Sequence, residues 1–157
     1  MGITSHHKNW LSATAALAIV GTVALATFFS RGGLADDAEL MMLMPQLVRT
    51  PIHVVDVSFD RTVLRAYTSR LLEIGEESGL SGETRKTSPD PNDVEVVIWG
   101  KGIMVTSLYR LENSPQNYTI FIYDKKDGSS RTTADIVFAK VTQGFTSVPG
   151  VKFSVEK

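Results

Sequence analysis

The fold is decided by residues 94–111, which read VEVVIWGKGIMVTSLYRL. Two runs rich in β-branched and aromatic residues, 94–99 and 103–111, flank the connection Gly100-Lys101-Gly102. Runs of this composition joined by a short glycine-containing connection are typical of a β-hairpin. The stretch therefore predicts two neighbouring antiparallel strands.

Three further strands are predicted after this hairpin. Residues 118–124 and 132–141 flank a turn centred on Asp127-Gly128, which indicates a second hairpin. Residues 151–155 alternate between apolar and polar side chains, as expected of a strand with one buried face. Residues 79–93 combine two prolines and two glycines with charged side chains and no apolar periodicity, so they are predicted to form a loop.

An amphipathic helix is predicted over residues 60–77. Ser58 or Asp60 is expected to cap its start, and Gly79 to end it. The β-branched run at residues 52–57, just before it, predicts a strand. The apolar side chains of the predicted helix recur at helical spacing and are Val63, Leu64, Tyr67, Leu71 and Ile74.

This order of elements predicts an α+β domain over residues 51–157. One amphipathic helix would pack on an antiparallel sheet of about five to six strands, in the order β-α-β-β-β-β-β and in two layers. The layout resembles the cystatin plan and, more loosely, the NTF2-like plan, as an analogy of arrangement alone. The inhibitory hairpin of cystatins has a Gln-x-Val-x-Gly stretch, whereas residues 95–100 here read EVVIWG, without the glutamine.

The first 30 residues determine the expected location of the protein. The 20 residues from 10 to 29, WLSATAALAIVGTVALATFF, carry no charge, and a helix of this length crosses a hydrocarbon core of about 30 Å. We therefore predict a transmembrane anchor at residues 10–30, a cytoplasmic head at residues 1–9, and an extracytoplasmic domain, periplasmic in a bacterium. The alternative is a signal peptide cleaved after Ala26 or Ala35, which would release a secreted protein.

Small residues recur every four positions along this apolar segment. Thr14, Ala18, Thr22 and Ala26 would line one stripe of a helix, with Gly21 nearby. Small side chains at that spacing allow another transmembrane helix to approach closely. The stripe predicts helix packing within the membrane.

Residues 31–50 are predicted to be a connector between the anchor and the domain. A short helical turn is expected at residues 38–44, stopped by Pro45. Its apolar side chains need an apolar surface, which could be the membrane, the domain or a partner. They are Leu40, Met41, Met42, Leu43 and Met44.

Several predicted strands are apolar on both faces, and a single helix cannot cover both faces of a sheet. The excess predicts contact with another chain or with the connector. The residues predicted to contact a partner are Leu40, Met41, Met44, Trp99, Phe121 and Tyr123.

The composition excludes several kinds of chemistry. The absence of cysteine rules out disulfides, a thiolate zinc site and a thiol nucleophile. The balance of 16 basic to 17 acidic side chains argues against a nucleic-acid partner. After residue 35 the single histidine is His53, expected to be a structural residue of the sheet, and no Gly-x-Ser-x-Gly motif accompanies it. The sequence thus predicts no catalytic set, cofactor or metal, and makes no small-molecule substrate evident.

Together these features predict a non-catalytic, membrane-anchored accessory or assembly subunit of a larger membrane protein complex. Its expected partners are other subunits of that complex and the lipid bilayer. The alternative is a secreted binding or inhibitor module with a layout like that of the cystatins.

Overall fold

The computed structural model describes residues 38–86, 89–90, 93–110 and 116–155. The helices in this part of the chain are α1 (Ala38–Leu43), α2 (Leu64–Glu77) and α3 (Arg131–Thr146). The strands are β1 (His53–Phe59), β2 (Ser81–Lys86), β3 (Val94–Gly100), β4 (Ile103–Arg110), β5 (Gln116–Tyr123) and β6 (Lys152–Val155). The described part of the chain is an α+β domain with one antiparallel sheet of six strands and three helices.

The strands lie in the order β2-β3-β4-β5-β1-β6, and each neighbouring pair is antiparallel. The predicted hairpin of β3 and β4 is confirmed, with Trp99 opposite Met104. Gly100 and Gly102 in its connection have φ angles of +134° and +82°, which residues with a side chain rarely adopt. Because β1 lies between β5 and β6, the first strand of the described chain pairs with the last.

The predicted amphipathic helix is confirmed as α2, preceded by a 3-10 turn at Arg61–Val63. Asp60 caps this turn, because its carboxylate accepts the backbone N–H of Thr62 at 2.9 Å. That hydrogen bond lowers the pKa of the Asp60 carboxyl. The predicted capping by Asp60 therefore acts on the 3-10 turn through which the chain enters α2.

The strand predicted at residues 132–141 is wrong, because these residues belong to α3. β-branched residues favour a strand locally, but the apolar side chains also recur at helical spacing. The stripe buried in the core consists of Ala134, Val137, Val141 and Phe145. Two long helices therefore cover one side of the sheet, where the sequence predicted one, and the order of elements departs from the cystatin layout.

The loop predicted at residues 79–93 is also wrong in part, because it contains β2. β2 pairs with β3 from Ser81 opposite Trp99 to Lys86 opposite Val94. It is an edge strand, so its side chains are exposed or half-buried on both faces. Its sequence, SGETRK, consequently lacks the apolar alternation that identifies a half-buried strand.

We call the side of the sheet that carries α2 and α3 the helix face. Its core contains stacked aromatic rings, with ring centroids of Tyr67 lying 4.7 Å from Phe59 and 5.1 Å from Phe145. The Tyr67 hydroxyl lies 2.5 Å from Ser107 Oγ, so this polar group is satisfied in the core. Gly144 of α3 lies against Ile74 of α2, where a Cβ atom would come within 2.8 Å of Ile74 Cδ1. The missing side chain lets the two helices pack closely.

Candidate interaction surface

The opposite side of the sheet, which we call the connector face, has an apolar part and a polar part. Along β1, Val54 is followed on this face by Asp56 and Ser58, because alternate residues of a strand share a face. Along β5, the same face changes from polar at Asn117 to apolar at Phe121. The apolar part requires a cover, and it is formed mainly by Val97, Trp99, Met104, Phe121 and Tyr123.

The connector supplies this cover. Leu40 and Leu43 of α1, Met44 of the following 3-10 turn, and Leu47 are all buried in one cluster with the apolar part of the sheet. Their spacing of three, four and seven residues from Leu40 places them on one side of a helical segment. The domain thus has a second hydrophobic core, and residues 38–48 are an integral part of it.

This core contains most of the residues for which sequence analysis predicted contact with a partner. Met41 differs from the others, because 52% of its surface is exposed. The buried members are Leu40, Met44, Trp99, Phe121 and Tyr123. Burial raises the pKa of Tyr123 to about 12, in keeping with an apolar environment. Packing within the chain accounts for the strands that are apolar on both faces.

Backbone hydrogen bonds fix the connector to the end of β5. Leu47 and Lys125 form an antiparallel bridge. The N–H of Val48 donates to the carbonyl of Asp124 at 2.8 Å, and the N–H of Lys126 donates to the carbonyl of Gln46 at 2.8 Å. These bonds satisfy main-chain groups that packing alone would leave without partners, so the connector is held in one register.

Asp124 organises the loop to which the connector is attached. Its fully buried carboxylate accepts a hydrogen bond from Ser130 Oγ and lies 3.1 Å from Arg131 Nε. Ser130 Oγ also lies 2.8 Å from the carbonyl oxygen of Gly102, and it accepts the N–H of Lys125 at 3.1 Å. The buried carboxylate of Asp124, together with Ser130, therefore holds three parts of the chain together. These are the turn between β3 and β4, the end of β5 and the start of α3.

The outward side of α1 carries two methionines. Met42 is 72% exposed, more than Met41 beside it. Met42 was not among the residues predicted to contact a partner. The helical spacing of Leu40, Leu43 and Leu47 nevertheless indicates that both methionines lie on the side of the helix away from these leucines. Docking of the connector thus leaves an exposed apolar pair.

His53 has the structural placement that the sequence predicted. Its Nε2 lies 2.7 Å from Asp135 Oδ1, and its ring stacks on Phe138 with centroids 4.2 Å apart. These two contacts hold the imidazole between β1 and α3, where it packs as a sheet residue. Asp135 is 82 positions away along the chain, so no sequence pattern indicated this pair.

The polar part of the connector face forms an open groove of about 420 Å³. Asp56 in its lining is held by a hydrogen bond, since Thr119 Oγ1 donates to Asp56 Oδ1 at 2.8 Å. Lys152 at the sheet edge supplies a basic side chain. The polar side chains that line the groove are Asp56, Ser58, Asn117, Lys152 and Ser154.

Among the described residues, no group of three or more histidine, aspartate or glutamate side chains is arranged to hold a metal ion. Within these same residues, no helix is long and apolar enough to cross a membrane. The predicted anchor and its stripe lie outside the described residues. The stripe consists of Thr14, Ala18, Gly21, Thr22 and Ala26.

The described residues form a single-sheet α+β domain, with two long helices on one face of the sheet and the docked N-terminal connector on the other. The chain matches no known family in a comparison with protein-family models, and no curated protein matches it either.

Proposed function

We propose that this protein is a non-catalytic, membrane-anchored accessory or assembly subunit of a larger membrane complex. Residues 10–30 serve as its transmembrane anchor, and the α+β domain lies outside the cytoplasm. The observation that carries the proposal is the docking of the connector. Leu40, Leu43 and Leu47 are buried in the second core, so the segment that follows the anchor is part of the folded domain.

A docked connector suits a subunit that must hold a fixed orientation at the membrane. Seven residues, 31–37, separate the proposed anchor from α1, and an extended chain of that length spans at most about 25 Å. The domain is therefore kept close to the bilayer, and the backbone bonds at Val48 and Lys126 hold the connector to the domain.

The environment of His53 supports the non-catalytic part of the proposal. Asp135 and Phe138 hold the imidazole in place, and the contacts recorded for it among the described residues include no hydroxyl nucleophile. A nucleophile–base pair requires such a group within hydrogen-bonding reach. We therefore propose that the imidazole has a structural function.

Association with other subunits is assigned to the stripe of small residues in the anchor. Small residues at every fourth position of a membrane helix permit close packing against a second helix. The stripe is centred on Ala18, whereas Ala16 lies about 200° away around a helix. Ala18→Leu therefore fills the packing surface, and Ala16→Leu is its matched control.

The test is the protein mass of the full-length chain extracted from its native membranes in mild detergent, measured by light scattering during size-exclusion chromatography. We expect a complex larger than one chain, reduced to single chains by Ala18→Leu and unchanged by Ala16→Leu. A strictly monomeric wild-type protein would contradict the proposal.

The polar groove gives specific support to the alternative, a secreted binding module. A groove of about 420 Å³ lined by Asp56, Lys152 and uncharged polar side chains has room for a small polar ligand or part of a peptide. This alternative requires cleavage of the N-terminal segment. N-terminal sequencing of the mature protein separates the two, because a start at Thr27 or Asp36 excludes the anchor.

A further inference from the structure

Docking of the connector divides its apolar residues into a buried set and an exposed pair. Met41 is 52% exposed and Met42 is 72% exposed, on the side of α1 that faces away from the sheet. Among the described residues, the other large hydrophobic side chains with comparable exposure are Ile136 and Val155. Packing within the described domain therefore leaves this pair uncovered.

Lys125 and Lys126 lie beside the segment that follows the pair. Lys126 Nζ donates to the carbonyl of Pro45 at 2.7 Å, directly after α1. Gly100, next to Lys101, lies beside the carboxylate of Glu39, and Gly102 lies beside Lys125. Residues 38–50, 100–103 and 123–131, which meet at this end of the domain, carry five basic and three acidic side chains. The basic ones are Arg49, Lys101, Lys125, Lys126 and Arg131. Of these, Lys101 Nζ donates to the carbonyl of Ser78 at 2.6 Å, and Arg131 pairs with Asp124.

This end of the domain is also where the chain enters from the proposed anchor. The eight residue-to-residue steps between residue 30 and Ala38 span at most about 29 Å. If residues 10–30 cross the membrane, α1 is the first folded element outside it. The exposed methionines, with Lys125 and Lys126, then belong to the part of the domain nearest the lipid.

We propose that Met41 and Met42 insert into the headgroup region of the bilayer, while Lys125 and Lys126 contact anionic lipid headgroups. This proposal rests on the membrane anchor of the proposed function. An apolar side chain flanked by basic residues is the composition of a membrane-surface contact. Two methionines are too small a patch for a stable protein interface, which uses roughly 20–30 residues on each side. They are sufficient next to a lipid surface, because the anchor already holds the domain there.

The experiment uses the absence of cysteine from the chain, which permits a single labelled position in each variant. Met42→Cys and Ile136→Cys are each labelled with the same fluorophore in the full-length protein. Ile136 is the matched control, because it is 53% exposed on α3 at the opposite face of the sheet. The proteins are reconstituted into phosphatidylcholine–phosphatidylglycerol vesicles that contain a lipid with a nitroxide in the upper acyl chain.

We expect several-fold stronger quenching by the nitroxide lipid at position 42 than at position 136. Equal, weak quenching at both positions in vesicles that carry the protein would overturn this proposal and leave the anchor intact. A probe at position 42 shielded from both the lipid quencher and aqueous iodide would also overturn it, because the methionines would then face protein. Failure of the full-length protein to float with the vesicles would overturn the anchor itself, and with it the lipid contact.

Discussion

Leu47 and Lys125 form an antiparallel bridge that joins the N-terminal connector to the loop between β5 and α3. Hydrogen bonds from Val48 to Asp124 and from Lys126 to Gln46 flank this bridge. The connector is thus held by main-chain bonds on one side and by apolar packing on the sheet on the other. Both kinds of contact can be tested by substitution.

Leu40→Ala should lower the free energy of unfolding by about 2–4 kcal/mol, because it leaves a cavity in the second core. Leu40 is buried there against the connector face of the sheet. Met42→Ala is the control, since its side chain is exposed in the same helix. Urea unfolding of the detergent-solubilised full-length protein measures both changes, and equal effects of the two substitutions would refute the docking.

Asp124→Asn should destabilise the domain by about 1–3 kcal/mol, since it weakens charged hydrogen bonds in a buried site. The substitution affects the contacts with Ser130 and Arg131. Asp127→Asn, in the same loop, should have little effect, because this side chain is exposed and Asn can still accept the N–H of Ser129. Thermal unfolding of the two variants makes the comparison, and an unaffected Asp124→Asn protein would contradict the role of the buried carboxylate.

Alkaline pH should destabilise the fold through its buried tyrosines. Burial raises the pKa of Tyr118 and of Tyr123 to about 12, and it raises the pKa of Tyr67 further. Since an unfolded tyrosine titrates near pH 10, the stability that these groups contribute is complete below pH 10. It is lost as the pH rises through about 12.

Urea unfolding at a series of pH values, together with absorbance of tyrosinate, measures this loss. Tyr123→Phe is the informative variant, because it removes one ionising group from the second core and should make the fall in stability shallower. Ionisation of all four tyrosines near pH 10 in a protein that stays folded would show that these side chains are accessible to water.

His53→Phe should keep the fold, because a phenyl ring can retain the stacking on Phe138. The lost contact with Asp135 involves a half-exposed carboxylate, and such pairs contribute about 0–1 kcal/mol. His53→Ala should cost more, since it removes the stacked ring. Thermal unfolding of the two variants compares them, and equal losses for Phe and Ala would show that the contact with Asp135, which both remove, outweighs the ring stacking.

Local patterns in the sequence predicted the sheet well where strands are apolar and hairpin connections are short. The β3–β4 hairpin and α2 have strong signals of their own, namely the GKG connection and a regular apolar stripe. β2 was not predicted, because an exposed edge strand needs no apolar residues and therefore shows no apolar alternation in its sequence. α3 was mistaken for a strand because its β-branched residues obscured the spacing of Val137 and Val141.

The interaction surface was predictable only in part, for a different reason. The apolar character of the connector was evident, but which of its side chains would be buried depended on the sheet that receives them. Helical spacing separates Leu40 and Leu43 from Met41 and Met42, whereas the basic side chains come from loops far apart in the chain. Such groups are brought together only by the tertiary structure.

We propose that the domain with its docked connector is joined to an uncleaved membrane anchor. The most direct test is the intact mass of the protein isolated from the membranes of its native host, with peptide mapping of its N-terminal region. We predict a mass that includes residues 10–30. A mature protein that begins at Thr27 or Asp36 would contradict the membrane anchor and identify a secreted domain.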